Sequence, residues 1–139
     1  MKHLFFLLLL FSVLSCQSTD KDIVKVEFKS ICGGKGCKSH RSVFTKDSIV
    51  ESYFNWNPEA FKEIKIKNTA ENWEKLLKNI DIEAFENIKS DSGRYQYDGT
   101  DQIIILYFSN KKRLKVSNGN QDSLYYPRIE KLYQFYRNQ

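Results

Sequence analysis

From Ile23 to Lys29 the chain alternates, with Val24, Val26 and Phe28 on one side and Lys25, Glu27 and Lys29 on the other. Successive side chains of an extended chain point to opposite faces, so this period of two predicts a half-buried strand with its charges in water. Arg41 to Thr45 reads as a second short strand and Lys46-Asp47 as a turn. Ile49 to Trp56 reads as a third strand, with Val50, Phe54 and Trp56 on one face and Tyr53 on the other, ended by Asn57-Pro58. Lys62 to Lys67 predicts a fourth, with Ile64 and Ile66 toward the core.

The period then changes. Trp73, Leu76, Leu77 and Ile80 recur at i, i+3, i+4 and i+7, the stripe of a helix with one buried side, and Asn68-Thr69-Ala70-Glu71 before them has the form of a capped start. Ile82, Phe85 and Ile88 extend that surface. A polar segment from Ser90 to Asp101 leads into two strands, Gln102 to Phe108 and Lys111 to Ser117, which read as a hairpin. Pro127 opens a second helix marked by Ile129, Leu132, Tyr133 and Tyr136. Runs of strands with only two helices predict an α+β fold, a twisted antiparallel sheet with both helices packed on one face. Ile103, Ile105 and Tyr107 oppose Ile104, Leu106 and Phe108, so both faces of that strand need cover.

The first residues stand apart from this pattern. Lys2 precedes an apolar run from Leu4 to Phe11, and Ser12-Val13-Leu14-Ser15-Cys16 follows, the layout of an export signal. The apolar stretch from Leu4 to Leu14 is about half of the roughly 20 residues that span a bilayer, which argues against a permanent transmembrane helix. Val13-Leu14-Ser15-Cys16 resembles the lipobox of bacterial lipoproteins. That resemblance implies a signal peptide over 1–15, lipid attachment at Cys16, a tether over 16–22 and one domain over 23–139. It also implies an envelope location, and Gln17 after the lipidated Cys resembles lipoproteins sorted to an outer membrane. The net charge of +5 falls by one when Lys2 leaves.

Three cysteines are an odd number for an exported chain. Lipidation of Cys16 leaves Cys32 and Cys37, which flank Gly33-Gly34-Lys35-Gly36 and are expected to form a disulfide outside the cytoplasm. Two sharper readings use the same residues: a metal held by Cys32, Cys37 and His40, which lacks a fourth ligand, and a phosphate-cradling glycine loop, which lacks the Lys-Ser/Thr order. The Cys loop, the helix stripe and Tyr97-Asp98-Gly99-Thr100 together resemble small uncharacterised lipoprotein domains in which a Gly-rich Cys pair follows the first strand. The resemblance implies a location and a fold, and no activity.

Candidate chemistry is sparse. His40 is the one imidazole left after signal removal, and Ser39, Ser42 and Ser48 sit in no nucleophile motif. Asp91, Asp98 and Asp101 share a loop but not the calcium-loop spacing, and Asp beside Gly is also an ordinary turn former. No catalytic residue, metal site or cofactor is therefore assigned. Lys62, Lys65, Lys67, Lys111, Lys112, Arg113 and Lys115 come without a nucleic-acid motif, so nucleic acid is not an expected partner. The expected function is a non-enzymatic, membrane-anchored binding module for an envelope protein, peptide or polymer. Tyr53, on the strand face turned from the helices, is the candidate partner-binding residue. The competing class is a small envelope hydrolase or thiol-redox protein built on His40 or on Cys32 and Cys37.

Overall fold

The computed structural model describes residues 22–34, 36–54, 61–91, 93, 99–119, 131–132 and 134–135. Six strands form one antiparallel sheet: β1 (Ile23–Cys32), β2 (Ser39–Phe44), β3 (Ser48–Phe54), β4 (Lys62–Lys67), β5 (Thr100–Phe108) and β6 (Arg113–Ser117). Two helices, α1 (Ala70–Lys78) and α2 (Ile82–Glu86), lie between β4 and β5. The strand order is β4-β3-β2-β1-β5-β6, so each hairpin neighbour in sequence is a neighbour in space, and β5 closes back onto β1.

The α+β expectation is corrected by this structure. Among the described residues strand accounts for 48% and helix for 21%, and the sheet is open, with two short helices following β4. The physical reason is the length of the helical pattern. The stripe from Trp73 to Ile88 is broken at Asn79-Ile80-Asp81 into helices of nine and five residues, each too short to form a layer of its own. The start of the helix expected from Pro127 lies outside the described residues. Lys131, Leu132, Gln134 and Phe135 are helical, with Leu132 and Phe135 buried.

One face of the sheet carries the core. Val26, Phe28, Phe44, Ile49, Ile104, Leu106, Phe108 and Val116 pack with Trp73, Leu76, Phe85, Ile88, Leu132 and Phe135. The register explains the set: Val26 stands opposite Phe44 and Leu106, Phe44 opposite Ile49, and Ile104 opposite Val116. Phe28 and Phe44 meet edge to face with ring centres 5.6 Å apart.

Three local expectations are revised. The pairing of β1 with β5 slips between Ile23 and Lys25, and this bulge turns Ile23 to the core and leaves Val24 exposed. β4 is an edge strand, paired on one side only, and Ile64 and Ile66 are exposed rather than buried. Thr69, not Asn68, caps α1 by accepting a hydrogen bond from the Asn72 amide. Asn68 is buried and donates through its side chain to the Thr45 carbonyl at 2.6 Å, tying the helix start to the β2-β3 turn.

Candidate binding face

The sheet's other face is built from the opposite parity: Lys25, Glu27, Lys29 and Ile31 on β1, Arg41 on β2, Ile103, Ile105 and Tyr107 on β5, and Arg113 and Lys115 on β6. Glu27 lies at its centre and is 1% exposed. Three side chains from three strands converge on its carboxylate: Tyr107 Oη donates at 2.6 Å, Arg41 Nε at 2.5 Å and Lys29 Nζ at 3.1 Å. Lys25 Nζ sits 3.5 Å above the Tyr107 ring, a cation–π contact that extends the chain of charges.

The electrostatics follow from this packing. Burial pushes the Glu27 carboxyl up, but the hydrogen bonds from Tyr107, Arg41 and Lys29 and the Lys29 charge outweigh it and hold Glu27 below the ordinary carboxylate value. Burial, then the bond to Glu27, raises the Tyr107 phenol. Glu27 is therefore charged and fully engaged. It leaves Arg113 and Lys115 uncompensated, since among the described residues neither has an ion-pair partner.

Between these cations lies a groove of about 460 Å3, lined by Lys29, Ile31, Ile103, Ile105, Arg113 and Lys115. Both parities of β5 are covered, as its sequence requires: Ile103 and Ile105 are buried on this side, and Ile104 and Leu106 on the helix side. The groove thus has an apolar floor and a basic rim.

Tyr53 is elsewhere. It shares parity with Ile49, which is in the core, so it stands on the helix-bearing face near that face's outer end; the expectation that it turns from the helices does not hold. It stacks on its cross-strand partner His40 with ring centres 4.4 Å apart, and its hydroxyl donates to Glu51 at 3.2 Å. Ser42 Oγ is 3.3 Å from His40 Nε2, but Ser42 has no exposed surface, so a substrate could not reach that hydroxyl in this conformation. Burial depresses the His40 imidazole, against the opposing pull of Glu51.

Cys32 and Cys37 lie at disulfide distance, with sulfurs 1.96 Å apart. The Cys37 amide donates to the Gly34 carbonyl at 3.2 Å, and Gly36 takes φ +83°, the left-handed region that glycine enters without a Cβ clash. The bridge clips the end of the β1-β2 hairpin. With five residues of separation its loss is expected to lower stability by about 2 kcal/mol and preserve the sheet. Denaturant melts of the Cys32→Ser/Cys37→Ser protein check this, and two alkylatable thiols in the unreduced protein would contradict it.

Asp101 is a structural clamp. It is 2% exposed, with one oxygen accepting from Asn118 Nδ2 at 2.7 Å and the other from the Gly93 amide at 2.9 Å. Among the described residues no cluster of His, Cys, Asp or Glu could hold a metal ion. Asp98 lies outside the described residues, as do residues 1–15, where a signal peptide is expected, and Cys16, Trp56, Tyr97 and Pro127. No described helix is long and apolar enough to cross a membrane.

Sequence reasoning missed the Glu27 centre. Flanked by Lys25 and Lys29, Glu27 reads as one more solvated position, and its partners Arg41 and Tyr107 are 14 and 80 residues away. The one legible signal was the double-faced apolar pattern of Ile103 to Phe108, which requires something to cover the side facing Glu27. No protein-family model matches the chain, and no curated protein matches it either.

Proposed function

We propose that this protein is a lipoprotein of the bacterial cell envelope, anchored through Cys16 in the outer membrane, and that it acts as a non-enzymatic binding module through the face of its sheet opposite the described helices. The observation that carries the reading is the juxtaposition of a satisfied Glu27 with uncompensated Arg113 and Lys115 around an apolar-floored groove. Such a surface suits recognition: apolar area supplies affinity, and a few fixed charges supply orientation. The partner is an envelope component carrying negative charge. The lipobox-like Val13-Leu14-Ser15-Cys16 supports the anchor, and the Cys32–Cys37 pair is consistent with an oxidising compartment. Membrane attachment by several acyl chains is firm where a single chain is marginal.

A photocrosslinking residue in place of Lys115, in the intact protein in its own cells, is expected to trap an envelope component. The same probe at exposed Phe61 is expected to trap far less. Cys16→Ser should release the protein from the membrane fraction or leave an uncleaved precursor. Equal crosslinking at both positions would overturn the binding face, and unchanged membrane partitioning and mass would overturn the anchor.

A further inference from the structure

We infer that the groove over β1, β5 and β6 is a binding site for a single-chain amphipathic carboxylate of the fatty-acid type, its head paired with Arg113 and Lys115 and its chain laid over Ile105, Ile103 and Ile31. This deepens the binding-module reading and rests on it.

The register sets the shape. Ile103 stands opposite Lys29, Ile105 opposite Glu27 and Lys115, and Tyr107 opposite Arg113. Ile31 is two residues beyond Lys29 on β1, diagonally across from Ile103. The apolar residues therefore run obliquely across two strands, ending near the two cations of the edge strand. From β1 to β6 is two interstrand spacings, about 10 Å. That width accepts one extended hydrocarbon chain. The volume of about 460 Å3 falls in the range of small-molecule sites.

The charges decide the head group. Two acids share this face: Glu27, opposite Ile105, is held by Arg41, Lys29 and Tyr107, and Asp101, opposite Ile31 at the end away from the cations, is buried and held by Asn118 and the Gly93 amide, so neither neutralises the β6 cations. Arg113 offers a planar fork that matches a carboxylate, and Lys115 a second donor on the same face. A purely acidic peptide would satisfy these cations but make no use of the groove's apolar lining, in which Ile31 is partly exposed and Ile103 and Ile105 form the buried base. A neutral hydrocarbon would do the reverse.

Calorimetric titration of the purified protein with decanoate tests this, with acetate as the head alone and decyl glucoside as the chain with a neutral head. Decanoate is expected to bind at least tenfold more tightly than either, and more weakly as salt rises. Arg113→Glu/Lys115→Glu should weaken decanoate at least tenfold without shifting the melting temperature, since both side chains are exposed. Arg113→Gln/Lys115→Gln serves as the second variant if the charge reversal fails to fold. Equal affinity for acetate or decyl glucoside would overturn the inference. Binding of phosphatidylglycerol vesicles, or of a poly-glutamate peptide, without binding of decanoate would also overturn it. Those two results would leave the binding module standing, which falls only if crosslinking at Lys115 shows no preference over Phe61.

Discussion

Phe44→Ala is expected to lower the unfolding free energy by about 3–5 kcal/mol, among the largest effects of any single truncation in this chain. Phe44 has no exposed surface, meets Phe28 edge to face, and lies with its ring centre 6.1 Å from that of Phe135. It stands at the junction of the β1-β2-β3 ladder and the C-terminal helical residues. Removing the ring takes away its transfer free energy and leaves a cavity, because neighbours fixed in a ladder on one side cannot collapse into it. Equilibrium urea denaturation reads the effect as a lower midpoint with an unchanged slope. Phe61→Ala is the control: Phe61 is 56% exposed, and its loss should change stability by no more than about 0.5 kcal/mol. Similar losses at the two positions would mean that the packing around Phe44 is not that of the core described here.

The strands were legible because their signal is local. Period-two alternation, or for Ile103 to Phe108 an unbroken apolar run, needs only the chain itself, and it located the six described strands to within a few residues, with Lys62–Lys67 matched at both ends. What alternation could not supply was which face is inside. Ile49 and Val50 are adjacent, and either parity gives β3 an apolar stripe; the choice depends on Phe44, which stands opposite Ile49. Choosing Val50 placed Tyr53 away from the helices, and the cross-strand pairing reverses that. β4 failed for a related reason. Its Ile64 and Ile66 look core-facing by pattern, but β4 is an edge strand and both are exposed, while the second helix contacts β6 at the opposite edge. The helices were legible as a stripe and over-weighted as a layer, since Asn79 and Asp81 break the stripe in a way that apolar spacing alone does not register.

The candidate site was harder to read because it is non-local by construction. Lys29, Ile31, Ile103, Ile105, Arg113 and Lys115 come from three strands, and β1 and β5 are brought together across most of the domain. In sequence, Lys111-Lys112-Arg113-Leu114-Lys115 is a basic run like many on edge strands. The structure separates its members. Lys112 bonds Glu86 at 2.7 Å near the short helix, whereas Arg113 and Lys115 turn to the opposite face and meet the isoleucines of β5. Alternation alone could have made that separation, had the inner face of β6 been fixed first by Leu114 and Val116.

Glu27 supplies the second large effect and ties stability to the same face. Glu27→Ala is expected to cost about 3–5 kcal/mol at neutral pH, because it removes the anion on which Arg41, Lys29 and Tyr107 converge and leaves their donors without it. Glu27→Gln keeps the size and should cost less, about 2 kcal/mol, since Arg41 and Lys29 are partly exposed and can turn to water. The pH dependence has a definite sign. The folded-state pKa of Glu27 lies below its ordinary value of 4.5, so the unfolded chain takes up its proton first as acid is added. The stabilising contribution is then fully present above that ordinary value and is lost as the pH falls through the lower folded value. The stability gap between the native protein and Glu27→Gln should therefore be widest at neutral pH and shrink in acid, where the native side chain is protonated and uncharged like the amide. Paired denaturant melts across that range measure it. A gap that stays constant down to about pH 3 would mean that the carboxylate charge contributes nothing, and that Glu27 is held by its shape and hydrogen bonds alone.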